Sequence, residues 1–157
     1  MNIIFRYLTF FALLQVAWSS ETASKLHGSW LSDGKATNSY FSEHAKLTDQ
    51  QNRLFPKFFG RAVFTFNPDG SGTIKMEAVI LPKKDGGDLN LAASETAFKY
   101  QILGETESQI VIKTTLAEPM FNEYPFTILK FHDADTYSVS LSDGIADING
   151  REFFKRR

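Results

Sequence analysis

From residue 61 onward, hydrophobic and polar positions alternate with a period of two in short runs. Ala62, Phe64 and Phe66 share one face of the first run, with Val63 and Thr65 opposite. After Asn67-Pro68-Asp69-Gly70-Ser71-Gly72, Ile74, Met76, Ala78 and Ile80 alternate with Lys75, Glu77 and Val79. Phe98, Tyr100 and Ile102 alternate with Lys99 and Gln101, and Tyr137, Val139 and Leu141 with Ser138, Ser140 and Ser142. Successive side chains of a strand point to opposite faces, so these runs read as half-buried strands. Eight strands are predicted, over 26–32, 61–67, 73–81, 96–103, 109–116, 126–131, 137–142 and 151–156. Most connections are four to six residues long and rich in Gly, Asp and Ser, which favours antiparallel pairing of neighbours. An eight-strand meander closes into an up-and-down barrel, and closure removes exposed edges. The predicted fold is a single all-β domain, 20–157, built as that barrel.

Between the first two strands the period changes. Tyr40, Phe41, His44, Leu47, Gln51, Leu54, Phe55 and Phe58 recur at three- and four-residue steps, with Gln51 alone breaking the apolar stripe. The pattern fits an amphipathic helix over 39–54 ended by Pro56, or an irregular loop with buried aromatics. Either would lie over one mouth of the barrel as a lid. The segment 82–90, with Lys83, Lys84, Asp85, Gly86, Gly87 and Asp88, reads as a mobile surface loop.

The first residues follow another logic. Arg6 precedes an apolar stretch over 7–17, and Ala17-Trp18-Ser19 places small residues at both positions a signal peptidase reads. Residues 1–19 are expected to be a secretory signal peptide, too short for a membrane span of ~20 residues. No cysteine is available for a lipid anchor at the cleavage site, so no membrane anchor is expected after cleavage. The expected location is periplasmic or secreted.

Composition narrows the chemistry. A chain of 157 residues with no cysteine has no disulfide scaffold, thiolate metal site or cysteine nucleophile. A formal charge of −1 without a basic run argues against a nucleic-acid partner. His27, His44 and His132 match no compact metal motif, and no metal or other cofactor is expected. The 67–74 segment has the look of a calcium loop, but Ala78 stands where the bidentate Glu belongs, so it is a hairpin turn. No Gly-x-Ser-x-Gly elbow marks a serine nucleophile, and Glu105 and Glu107 sit in a tight turn. No catalytic residue is assigned, and an enzyme is not expected. Fifteen Phe in so short a chain require an apolar interior, whether as packed core or as the lining of a cavity.

The two ends of the mature chain carry a resemblance. Gly28-Ser29-Trp30 opens the first strand, and Phe153-Phe154-Lys155-Arg156-Arg157 closes the last. A Gly-x-Trp on the first strand with a cation on the last resembles the lipocalin/calycin superfamily, and the layout is similar to that of short bacterial secreted lipocalin-like proteins. The resemblance implies that Trp30 fills the closed end of the barrel and that Arg156, with Lys155 and Arg157 next in line, packs across its indole. It also implies a binding protein for a small hydrophobic molecule, without catalysis. The ligand-binding residues expected are Tyr40, Phe41, His44, Leu47 and Phe55 from the lid, with Tyr100 and Tyr137 as polar handles in the lumen. The alternative is a filled barrel that acts as an interaction or inhibitor module on an envelope or extracellular protein.

Overall fold

Alternation over the C-terminal two-thirds of the chain closes a sheet. The computed structural model describes residues 23–83, 86–116, 126–141 and 149–157; the expected signal peptide lies outside them. A helical turn α1 (Ala23–Leu26) leads into β1 (Gly28–Ser32), then α2 (Gly34–His44) and α3 (Asp49–Phe58). Nine strands follow: β2 (Ala62–Phe66), β3 (Ser71–Met76), β4 (Val79–Pro82), β5 (Asp88–Leu91), β6 (Ser94–Glu105), β7 (Gln109–Leu116), β8 (Phe126–Phe131), β9 (Thr136–Ser140) and β10 (Arg151–Arg156). Eight of the strands form a closed barrel in the order β1-β10-β9-β8-β7-β6-β3-β2, antiparallel at every seam, while β4 and β5 pair only with each other. The expected up-and-down barrel is therefore present.

Register decides what faces inward. Trp30 lies opposite both Arg156 and Phe64, Phe64 opposite Ile74, and Ile74 opposite Thr96. On the other wall Tyr100 lies opposite Thr114, Ile112 opposite Thr127, Leu129 opposite Val139, and Val139 opposite Glu152. Trp30, Phe66, Phe98, Phe131, Tyr137 and Phe154 are buried with Leu26, Ile110, Ile112 and Leu129 in one core. Their rings touch in series: Phe131 on Tyr137 at 5.6 Å, Tyr137 on Phe154 at 4.9 Å, Phe154 on Phe64 at 5.3 Å, and Phe66 on Phe98 at 5.5 Å.

The barrel has two unlike ends. At one, short turns at 67–70, 106–108 and 132–135 join neighbouring strands beside α1 and the C-terminus. At the other lie the 33–61 connection with both helices and the 77–93 connection with the β4–β5 hairpin, and there β7 and β9 end and β8 and β10 begin. Helix α2 replaces the missing continuation of β1 beside β10. Asp33 N–H donates to the Phe153 carbonyl at 2.7 Å, and Phe153 N–H donates to Thr37 Oγ1 at 3.0 Å.

Four details depart from expectation. The single helix over 39–54 is two helices, because Thr48 caps α3. Thr48 Oγ1 accepts from Gln51 N–H while the Gln51 side chain accepts from Thr48 N–H at 2.8 Å, a capping box. Pro56 lies inside α3 rather than ending it. In the last turn its missing N–H forfeits one intrahelical bond, and the chain leaves the helix two residues later, after Phe58. The predicted third strand breaks after Met76, and its second half pairs with 88–91, so most of the expected 82–90 loop belongs to a hairpin. Leu26 belongs to α1, not to the first strand.

Candidate functional site

The closed end is assembled around Trp30, which is fully buried. Its Nε1–H donates to the Leu26 carbonyl at 2.9 Å, and the Arg156 guanidinium carbon sits 4.2 Å from the ring centroid. That guanidinium also donates to the carbonyls of His27 at 2.9 Å, Lys25 at 2.8 Å and Ala134 at 3.1 Å, and to Asp135 Oδ1 at 3.0 Å. Of the three cations at the C-terminus, Arg156 is the one over the indole. Gly28 is needed beside it: its φ is +118°, and a Cβ there would stand 3.2 Å from Arg156 Nη1. The Gly-x-Trp spacing thus lets the arginine cross the end of the barrel without obstruction, a cation–π contact worth roughly 0.5–2 kcal/mol by itself.

Nearer the other end the inward face changes character. Rings give way to Ile74, Thr96, Thr114, Thr127, Val139 and Glu152, each within three residues of its strand's open-end terminus. All six keep part of their surface accessible, whereas Phe66, Phe98, Ile112, Leu129, Tyr137 and Phe154 are buried. The buried rings thus form a packed floor, and solvent reaches the inward side chains nearer this end.

Among the described residues, Glu152 is the one charged group on this inward face. Arg156 points inward over Trp30, so pleat alternation turns Phe154 and Glu152 inward too. Ser32 Oγ–H donates to Glu152 Oε1 at 2.6 Å and itself accepts from Gly60 N–H at 2.9 Å, tying the carboxyl to β1 and to the turn after α3. Burial pushes the Glu152 carboxyl up to about 7, against the lowering effect of the Ser32 bond. Tyr137, below it, is raised well above the usual phenol range by burial and by the Glu152 charge. The ion pairs among the described residues are Arg61–Glu77, Lys75–Glu95, Lys155–Asp33 and Arg156–Asp135, and none involves Glu152. Among those residues Oε2 has no hydrogen-bond partner.

The two helices of the 33–61 connection hold an aromatic cluster of their own. Phe41 is buried, edge-on to Phe55 at 5.2 Å and stacked on Phe59 at 5.3 Å, and it fits against Gly150, where a Cβ would meet its ring at 2.6 Å. Tyr40 lies outside the barrel wall, 5.6 Å from Phe153 and stacked on His44 at 4.2 Å. His44 is exposed at the end of α2, and Leu47 is half-buried in the link between the helices. Of the predicted lumen residues, Tyr137 belongs to the floor, and Tyr100 donates its hydroxyl to the Asn67 carbonyl at 2.6 Å near the closed end. Burial and the nearby Asp69 raise the Tyr100 phenol. The predicted residues therefore divide among the helical connection, the outer wall and the floor. The inward face above the floor is formed instead by Glu152, Ser32 and three threonines that the sequence reading passed over. The signal for Glu152 was available: assigning Arg156 to Trp30 fixes the parity of β10 and turns residue 152 inward.

Two other polar arrangements do less. His132 Nε2 lies 2.9 Å from Ser138 Oγ on the outer wall, but Ser138 has no accessible surface, so this hydroxyl cannot reach a substrate. Burial first, then Lys130 and Arg151, lower the His132 pKa. Outside the wall, Leu31, Ser32, Asp33, Gly34, Gly60 and Lys155 line an open depression of about 450 Å³. Its charges serve each other: Lys155 Nζ is 2.5 Å from Asp33 Oδ2, and Asp33 Oδ1 accepts from Ala36 N–H to cap α2. Among the described residues no cluster of His, Asp and Glu could hold a metal ion. Compared with family models, curated proteins and solved structures, the chain matches none.

Proposed function

We propose that the protein is an exported, lipocalin-like binding barrel that takes a small, largely apolar molecule in above its packed floor and releases it unchanged. One observation carries the reading: above a floor of touching rings, inward side chains near one end of the barrel keep accessible surface. The Trp30–Arg156 closure at the other end supports the superfamily resemblance, and residues 1–19 support export. The mechanism is desolvation of the ligand against Ile74, Val139 and Phe64. Burying ~150 Å² of apolar ligand surface is worth about 4 kcal/mol, which alone corresponds to millimolar affinity. Tighter binding requires a polar anchor.

Native mass spectrometry of the protein purified from its own compartment tests this. The expected result is a reproducible added mass of a few hundred daltons or less that vanishes on denaturation. A bare chain mass, together with no binding across a panel of small apolar compounds, overturns it. The exposed Ile80, Leu89 and Leu91 on the β4–β5 hairpin favour a second reading, a rim that docks an extracellular or envelope protein, and that outcome would move the search there.

A further inference from the structure

We infer that the outer wall formed by β6, β7 and β8 docks the protein on an anionic lipid surface. Three large apolar side chains of these strands face solvent: Leu103 is 46% exposed, Phe126 54% and Ile128 55%. Register brings them together. Val111 on β7 lies opposite Ile128 on one side and opposite Gly104, the neighbour of Leu103, on the other. The register shifts between Ile102 and Gly104, so Leu103 is an extra residue pushed into this row as a bulge. A Cβ on Gly104 would meet nothing within 4 Å, so the wall is open there. Three strands at ordinary spacing make the row about 10 Å across, with Phe126 two residues along β8 from Ile128. Isolated exposed apolar side chains are ordinary, but a contiguous group of them marks a contact surface.

Charge decides what fits this surface. Lys113 lies opposite Phe126, Lys130 follows Ile128 on the same side of β8, and Lys99 is on the same side of β6 as Gln101, which lies opposite Lys113. All three lysines are exposed, and none belongs to the ion pairs found among the described residues. The segments 99–103, 109–115 and 126–130 contain no Asp or Glu, and Glu105 and Glu107 lie past the bulge toward the closed end. Ammonium groups interleaved with exposed Leu, Phe and Ile match the boundary of a bilayer. The apolar groups enter the edge of the acyl region, while lysine stems lie along them and hold their heads at the phosphates. Other occupants fit less well. A second copy packed on the same face sets the three lysines against themselves, since a two-fold contact repeats one patch on both sides. A globular protein partner is disfavoured because protein interfaces are depleted of lysine. Addition of a strand is closed off, because β6, β7 and β8 each already have two neighbours in the barrel. Docked through this wall, the barrel lies on its side against the membrane, whether or not its interior holds a ligand.

The test is co-sedimentation of the protein, purified from its own compartment, with vesicles of phosphatidylcholine alone and of equimolar phosphatidylcholine and phosphatidylglycerol. Wild type is expected to bind the anionic vesicles at least tenfold more tightly and to lose that preference in high salt. A lysine near an anionic surface raises affinity about fivefold, so replacing Lys99, Lys113 and Lys130 together by Gln is expected to weaken binding roughly a hundredfold. Replacing Lys35, Lys46 and Lys57 by Gln removes the same charge from the helical connection and is expected to change binding much less. Leu103→Ser with Ile128→Ser, both at exposed positions, is expected to leave the circular dichroism melting curve in place and to weaken vesicle binding about tenfold. Equal loss in the two lysine triples, or full binding by the double serine variant, overturns the assignment of this wall. Binding to neither vesicle overturns it too, moves the search to an acidic protein partner, and leaves the proposed ligand binding to be judged by its own experiment.

Discussion

The two ends of the barrel are built from the same alternating strands but differ in how completely they satisfy their polar groups. At the closed end the indole N–H of Trp30, all three nitrogens of the Arg156 guanidinium and the Tyr100 hydroxyl have partners. At the other end Asn38 Oδ1, on α2, is buried without a donor, and Glu152 has Ser32 Oγ–H as its donor and keeps part of its surface accessible. Buried polar atoms are nearly always paired, and exceptions call for an explanation. The contrast assigns fixed structure to the closed end and leaves the other as the place for the ligand of the proposed function.

The sharpest way to break this division is Trp30→Ala. The substitution removes a fully buried ring that touches Tyr137 at 4.8 Å and Phe131 at 5.8 Å and strands the Arg156 guanidinium. Loss of a large buried aromatic costs about 3–5 kcal/mol, enough to unfold a domain of ordinary stability. Urea denaturation should show a collapse of the folding free energy or no folded baseline at all. A variant within 1 kcal/mol of wild type would mean that the closed end is not the anchor.

Glu152→Gln examines the opposite end and should do the reverse. A carboxyl raised from its ordinary 4.5 to about 7 binds its proton more tightly in the folded chain than in the unfolded one. Its contribution is therefore fully present below 4.5 and is lost as pH rises through 7. The gap amounts to at most about 3 kcal/mol at pH 8, since Glu152 keeps part of its surface accessible. Relative to wild type, Glu152→Gln should be nearly neutral at pH 4 and more stable by up to about 3 kcal/mol at pH 8. The comparison must be between the two proteins at each pH, because Asp33 and Asp69, with lowered pKa values, contribute stability that is lost on the acid side. A difference between variant and wild type that does not change with pH would show that Glu152 is as well solvated as a surface carboxylate.

Most of the barrel was legible because period-two alternation depends only on which side of a wall a residue occupies, and a closed barrel imposes that along every strand. The seven strands from residue 61 onward registered in this way, whereas the pairing of Trp30 with Arg156 came from the superfamily resemblance. What was missed depended on competition between local signals. Glu77 and Ala78 continue the alternation of Ile74 and Met76, so nothing in the pattern marks where β3 leaves the barrel for the β4–β5 hairpin. Thr48 and Gln51 do spell a capping box, but the aromatic stripe runs through both helices and hides the break at 45–48. Consecutive Phe153 and Phe154 blur the parity of β10, which kept Glu152 out of the candidate site. The lid aromatics drew attention by size, yet most of them pack against one another or on the outer wall.

The smallest expected effect separates the two ends dynamically. Helix α3 buries no residue completely and is held by its Thr48–Gln51 cap, its contacts with Phe41 and the neighbouring hairpin. Thr48→Ala removes a cap worth about 1 kcal/mol. If helix α3 opens independently of the barrel, that loss falls on local opening alone, because separable segments unfold with their own free energies. Amide hydrogen exchange in Asp49–Phe58 should then accelerate about fivefold while β1, β9 and β10 keep their protection. Equal acceleration in the strands around Trp30 would mean that helix α3 and the barrel floor open as one unit.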